Sequence, residues 1–204
     1  MQTNFINSKK SCWNYLKEIE SILVEVGLDH AMNNSDVDLP SAFHRLSLDN
    51  YKHMFFNEIN DKNSLQVYKL CKKSTFRENY LFGTTDFESR RLKFKARTDC
   101  LGLQSDFERW GQADGHCKMC KKSKEDLQHF LLNCPILENV RIKLFNELFS
   151  TLISSCPRVW ETFIHASPRT KVYMLLGNED MDGAFRSFLK EAWAFRREIL
   201  NTPG

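Results

Sequence analysis

Apolar residues recur three and four positions apart along most of this chain, the spacing that lines one face of an α-helix. Cys12, Leu16, Ile19, Leu23 and Val26 form the first such face, and Gly27 stands where a left-handed C-terminal stop belongs. Residues 28–40, rich in Asn and Asp and holding a Pro, read as a connecting loop. Phe43, Leu46, Tyr51, Met54, Phe55 and Ile59 restore the period as two helices broken near Asp49, a residue type suited to N-capping; 65–71 continues it past a polar break at 60–63. Phe82-Gly83-Thr84-Thr85 is a turn. The segment that follows carries two periods at once. Leu92, Phe94 and Ala96 alternate with Lys93, Lys95 and Arg97 as in an edge strand, whereas Arg90/Phe94/Arg97 and Arg91/Lys95 stack as rows on a helix. Helix is preferred, because the neighbours are helical and a lone strand has no partner.

The later signals are sharper. Ser123 with Asp126 resembles a capping box ahead of Leu127, Phe130 and Leu131, and Pro135 ends that helix while opening the next, where Val140, Leu144, Leu148 and Leu152 align. Ser167-Pro168 starts another helix that closes at Gly177. Asp182 is placed to cap the last one, with a stripe of Phe185, Phe188, Leu189, Ala192, Phe195 and Ile199 and with Arg196 and Arg197 near its C-terminal dipole. Cys117, Cys120, His129 and Cys134 fall at C-x2-C-x8-H-x4-C spacing, so the expected fold class is all-α, a helical domain organised around a small CCHC zinc knuckle. Three regions are expected: helical 1–85, basic and metal-binding 86–150, and helical 151–204.

Composition narrows the class. The 204 residues are 42% hydrophobic and 27% charged, as in globular domains, and no stretch is apolar for the roughly 18 residues of a membrane span. No secretory leader is legible, since Glu25 breaks the apolar run at 22–26. Seven cysteines is an odd number, so reduced thiols in the nucleus or cytoplasm are expected rather than a disulfide framework. Net charge is only +3, yet residues 71–97 carry eight basic side chains against three acidic ones, and Lys118, Lys121, Lys122 and Lys124 crowd together further on. Such clusters attract phosphate, although a solvated face is their ordinary meaning.

The chemistry sits in Cys117, Cys120, His129 and Cys134, spaced C-x2-C-x8-H-x4-C. Structural zinc takes four Cys or His ligands in a tetrahedron, and a C-x2-C turn offers two thiolates to one ion. A redox C-x2-C would need a βαβ setting, which is not legible here. His116 competes with His129 as the fourth ligand but reads as an exposed loop residue. Four protein ligands leave no position for an activated water, so one structural Zn2+ without catalysis is expected. His44, His53 and His165 belong to no recognisable catalytic motif.

Residues 90–141 resemble the zinc-binding region at the C-terminus of reverse transcriptases from animal non-LTR (LINE-type) retrotransposons. The matching positions are the basic 90–97 segment, Trp110-Gly111 (reversed relative to the family's usual order), Cys117 and Cys120, Glu125-Asp126, His129-Phe130-Leu131, Cys134-Pro135 and Arg141. Trp13, Gly27, Tyr68, Tyr80-Leu81, residues 175–178 and the last helix extend the similarity. The polymerase's Asp-Asp pair is absent, as is a Pro-Asp dipeptide after the knuckle that would signal a nuclease. The resemblance therefore implies a non-enzymatic nucleic-acid-binding module, with RNA favoured over DNA and a reverse transcriptase body or other protein as a further partner; composition gives no membrane partner. Expected contacts are Arg90, Arg91, Lys93, Lys95, Arg97, Lys118, Lys121, Lys122 and Lys124, with Met119 and Trp110 as candidate stacking platforms. The alternatives are a zinc-scaffolded protein-interaction domain and a retroelement remnant without activity.

Overall fold

The computed structural model describes residues 17–25, 27–28, 38–82 and 86–201. The expectations resting on Cys12, Trp13, Leu16, Val26 and most of the 28–40 and 83–85 segments fall outside these residues. Among the described residues the fold is helical and holds no strand, only one isolated antiparallel bridge between His116 and Lys124. None of the described helices is long and apolar enough to cross a membrane.

The chain divides into two compact units, 1–59 and 60–204. A continuous helix runs through position 150, and one apolar core joins residues from Cys71 to Ala192. In the first unit, residues 17–25 are helical (α1) and end in a Schellman turn. Gly27 takes φ +73°, its N–H donates to Val24 O at 3.0 Å, and Leu28 N–H donates to Leu23 O at 2.7 Å. Leu23, Leu28 and Ala42 are buried with Ile19 and Leu46 against them. Helix α2 (Leu39–Asp61) runs unbroken through Asp49. The Asp49 carboxylate pairs with Lys52 at 2.9 Å one turn on, instead of capping a new helix.

The second unit holds α3 (Gln66–Cys71), α4 (Phe87–Arg97), α5 (Gln104–Arg109), α6 (Glu138–Ser155), α7 (Pro157–His165), α8 (Pro168–Gly177) and α9 (Asp182–Asn201). Helix α9 packs against α4, α6 and α8, and α3 packs on α8. The apolar stripe explains why α9 is central: Phe185, Phe188, Leu189 and Ala192 are buried, each large one stabilising by about 1.5–3 kcal/mol. Two positions depart from the expected stripe. Phe195 is partly exposed, and Arg196, one residue further on, is buried in its stead. Val140, Leu144, Leu148 and Leu152 of α6 are buried as the spacing predicts.

Segment 87–97 is a helix. Its buried positions are Ser89, Leu92, Lys93, Ala96 and Arg97, the i, i+3, i+4, i+7, i+8 set of one helical face. Asp86 caps it, accepting from Ser89 N–H at 3.4 Å. The strand-like alternation fails at Phe94, which points outward.

A candidate metal centre

The site is built by a loop and the widened helical turn that follows it. Gly115 O accepts Glu125 N–H at 2.8 Å and Ser123 O accepts Cys117 N–H at 2.9 Å, so 115–125 closes on itself beside the His116–Lys124 bridge. Within it, Lys121 N–H returns to Cys117 O at 2.8 Å, a tight turn made possible by the left-handed φ of +55° at Lys121. The turn holds Cys117 and Cys120 side by side. Ser123 is therefore part of the loop, and the cap of the following helix is Asp126, whose Oδ1 accepts His129 N–H at 2.7 Å. The turn from His129 to Asn133 is widened, with Cys134 N–H donating to His129 O five residues back at 2.7 Å. Pro135 then forces Cys134 out of helical conformation and starts the turn leading into α6.

This backbone brings four ligand atoms together. One from each of Cys117, Cys120, His129 and Cys134 lies within 4.8 Å of all the others, and Cys120 Sγ is 3.4 Å from His129 Nε2. Zn–S bonds of about 2.3 Å and Zn–N bonds of about 2.0 Å in a tetrahedron put ligand atoms roughly 3.5–3.8 Å apart, so a small closure seats an ion. The cluster could hold a metal ion. Cys117 and Cys134 are fully buried and Cys120 partly so. Burial pushes the Cys117 thiol up to about 12 and also raises Cys134. At Cys120 burial acts the same way but is outweighed by the Lys122 N–H and by the neighbouring thiols, leaving it below the ordinary thiol value. Burial lowers His129, which keeps its imidazole neutral and able to coordinate. His116 is exposed beside Asp114 and is not among the four.

Three buried charged residues lie around the cluster. The Glu125 carboxylate has no solvent exposure, and Arg196 of α9 grips it through Nε and Nη2, both at 2.8 Å. Gln104 N–H donates to the same carboxylate at 2.9 Å, and Cys117 Sγ lies 3.9 Å from its other oxygen. Arg196 also lies over the Trp193 ring at 4.9 Å, and Trp193 meets Phe130 edge-on. Arg141, from α6, is buried too: Nε donates to Leu131 O at 3.1 Å and Nη2 to Cys134 O at 2.7 Å. It thereby satisfies carbonyls at the end of the widened turn. The role of Arg196 was missed from sequence. Its signal is its position, since a cation in register with Phe185, Phe188, Leu189 and Ala192 needs a buried partner.

The basic residues separate into two groups. Lys118, Lys121, Lys122 and Lys124 are exposed around the Cys/His cluster, with Lys124 paired to Glu108. Arg91 is exposed and held by Glu88, while Arg90 and Lys95 are half-buried, Arg90 donating to Leu81 O at 3.2 Å. Lys93 and Arg97, expected as nucleic-acid contacts, are instead only 3% and 2% exposed. Lys93 pairs with Asp182, and Arg97 pairs with Glu78 at 3.0 Å between the Tyr68 and Tyr80 rings. They sit on the inner face of α4, where only acids and aromatic faces can offset the loss of water. Asp182, expected to cap α9, is occupied by Lys93 and Arg186. Met119 is buried in the core and offers no platform; Trp110 is exposed, edge-on to Phe107 at 5.6 Å. Comparison with models of protein families, with curated proteins and with solved structures finds no match to this chain.

Proposed function

We propose that this chain is a zinc-stabilised nucleic-acid-binding module, acting on RNA in preference to DNA, and that it is related to the C-terminal region of non-LTR retrotransposon reverse transcriptases. The observation that carries this reading is the coincidence of two features on one loop. Four ligand atoms converge beneath it, and Lys118, Lys121, Lys122 and Lys124 project from it into water. Cys117, Cys120, His129 and Cys134 would hold the ion, and its part is to fix the loop. The lysines then supply phosphate contacts whose strength comes from counterion release. The residues that carry the family resemblance, Glu125, Phe130, Cys134 and Arg141 among them, belong to the same buried surroundings of the cluster, which supports the kinship.

Fluorescence anisotropy with short single-stranded RNA and DNA over a salt series tests the proposal. Each phosphate contact on a single strand gives a log–log salt slope of about −0.7. Lys118, Lys121 and Lys122 form no ion pair among the described residues, so replacing all three by Ala is expected to flatten the slope by roughly 2 and weaken binding at every sequence. Affinity that is indifferent to salt and to these lysines removes the reading. A protein-docking role is the second reading, favoured by the exposed apolar residues Ile142, Phe149 and Ile153 along one face of α6. Its mark is RNA retention unchanged in the triple variant.

A further inference from the structure

Beside the lysine-bearing loop the second unit has an open cavity of about 450 Å3, within the roughly 300–1,000 Å3 range of small-ligand sites. The apolar part of its lining comes from Val67, Leu127 and Val172. Arg169 and Tyr173 of α8 line it as a hydrogen-bonded pair, with the guanidinium at the hydroxyl end of the ring and the ring face left uncovered by it. The Arg169 guanidinium lies 5.6 Å from the centre of the Tyr173 ring, and its Nε donates to the Tyr173 hydroxyl at 2.6 Å. Ser105, Arg109, Asp126 and Gln128 supply polar groups to the same lining.

The charges on this cavity cancel. Arg109, Lys124 and Arg169 face Asp99, Asp106 and Asp126. Arg109 is already committed to Asp99 and Asp106, at 3.3 and 2.6 Å, and Lys124 to Glu108. A phosphate gains little in such a place. A flat, uncharged group with donors and acceptors along its edge suits this lining, which offers apolar side chains and the Tyr173 ring to its faces and Ser105, Gln128 and the Asp126 carboxylate to its edge. A second cavity, of about 490 Å3, adjoins the first, sharing Lys124, Asp126 and Gln128 and adding Lys122. Phosphates and bases are thus offered separate surfaces within reach of one strand.

We infer that the cavity between α8 and the 124–128 segment is a slot for one unpaired nucleobase of a single strand whose phosphates lie along Lys122 and its neighbours. This rests on the nucleic-acid reading above and deepens it, because it assigns base contacts to Arg169 and Tyr173. Base stacking on a single strand is sequence-tolerant and is lost on truncating the platform.

The test is binding of a short fluorescein-labelled single-stranded RNA, and of an abasic ribose-phosphate strand of the same length, to wild type, Arg169→Lys and Tyr173→Ala. Arg169→Lys keeps the charge at an exposed position, so it separates loss of the guanidinium plane from misfolding. Both variants are expected to bind RNA about tenfold more weakly with an unchanged salt slope, and to bind the abasic strand as wild type does. With 4-thiouridine in the RNA, photocrosslinks are expected on the tryptic peptide 172–186. If both variants bind RNA like wild type while the Lys118/Lys121/Lys122 variant does not, the slot is wrong and the module reading stands. If wild type binds no RNA, both fall.

Discussion

Replacing Arg196 by Met probes how the Cys/His cluster is tied to the rest of the fold. Methionine keeps the length and apolar stem of the side chain, so the Trp193 contact is largely retained while the charge is removed. What remains is a Glu125 carboxylate with no solvent exposure, its two 2.8 Å bonds to Arg196 gone and one 2.9 Å bond from Gln104 N–H left. Breaking a buried ion pair from one side costs about 3–5 kcal/mol, because the orphaned charge stays in a dry place. That is at least a fifth of a stability of about 5–15 kcal/mol. At this size each kcal/mol moves Tm by roughly 2–4 °C, so a fall of about 6–20 °C is expected. The orphaned carboxylate also faces Cys117 Sγ at 3.9 Å, and its repulsion of a thiolate is expected to weaken zinc binding by about 10–100-fold. Urea unfolding followed by circular dichroism, and zinc competition against a chromophoric chelator, give the two numbers. The double variant Glu125→Gln/Arg196→Met removes the stranded charge and is expected to recover at least ~2 kcal/mol relative to Arg196→Met, a coupling that only interacting residues show. A single variant within ~1 kcal/mol of wild type, or a double variant no more stable than it, would refute the reasoning.

Other perturbations have equally definite outcomes. Arg141→Ala strands the carbonyls of Leu131 and Cys134 and is expected to lower stability by about 3 kcal/mol in urea titrations, with Arg141→Lys recovering less than half because an ammonium cannot fork. Gly115→Ala puts a Cβ 2.7 Å from Glu108 Oε2 at a residue with φ +78°, and a loss of ~1–2 kcal/mol is expected by the same assay. Burial, reinforced by the Glu78 charge and opposed by Arg97, holds the Tyr80 phenol up to about 12, above its ordinary value of 10.0. The folded state keeps that proton longer than the unfolded one, so this contribution is full below pH 10 and disappears between pH 10 and 12. Tyr80→Phe is expected to flatten the alkaline limb of stability measured against pH.

The local periods were legible in the sequence because they are fixed by neighbours along the chain. The α6 stripe, the Schellman stop at Gly27, the Ser167 cap and the convergence of three cysteines with His129 all follow from spacing and short-range chemistry. What escaped was set by partners far away in sequence. Lys93 and Arg97 look like surface cations until Asp182 and Glu78 are brought against them, and Arg196 looks like a dipole complement until Glu125 arrives from 71 residues away. Asp49 is a good capping type but stands within an uninterrupted helix, where pairing with Lys52 leaves no reason for a break. Ser123 and Asp126 are both competent caps, and loop closure between Ser123 O and Cys117 N–H decides for Asp126.

The account stands on one ion shared by Cys117, Cys120, His129 and Cys134. Elemental analysis of the purified chain, paired with thermal unfolding before and after chelation, addresses it directly. One zinc per chain is expected, absent from His129→Ala and Cys134→Ser, and its removal is expected to unfold the second unit, since structural zinc contributes an apparent ~10–16 kcal/mol in small zinc-finger peptides. A zinc-free chain with an unchanged Tm, indifferent to chelator and to added zinc, would contradict the account.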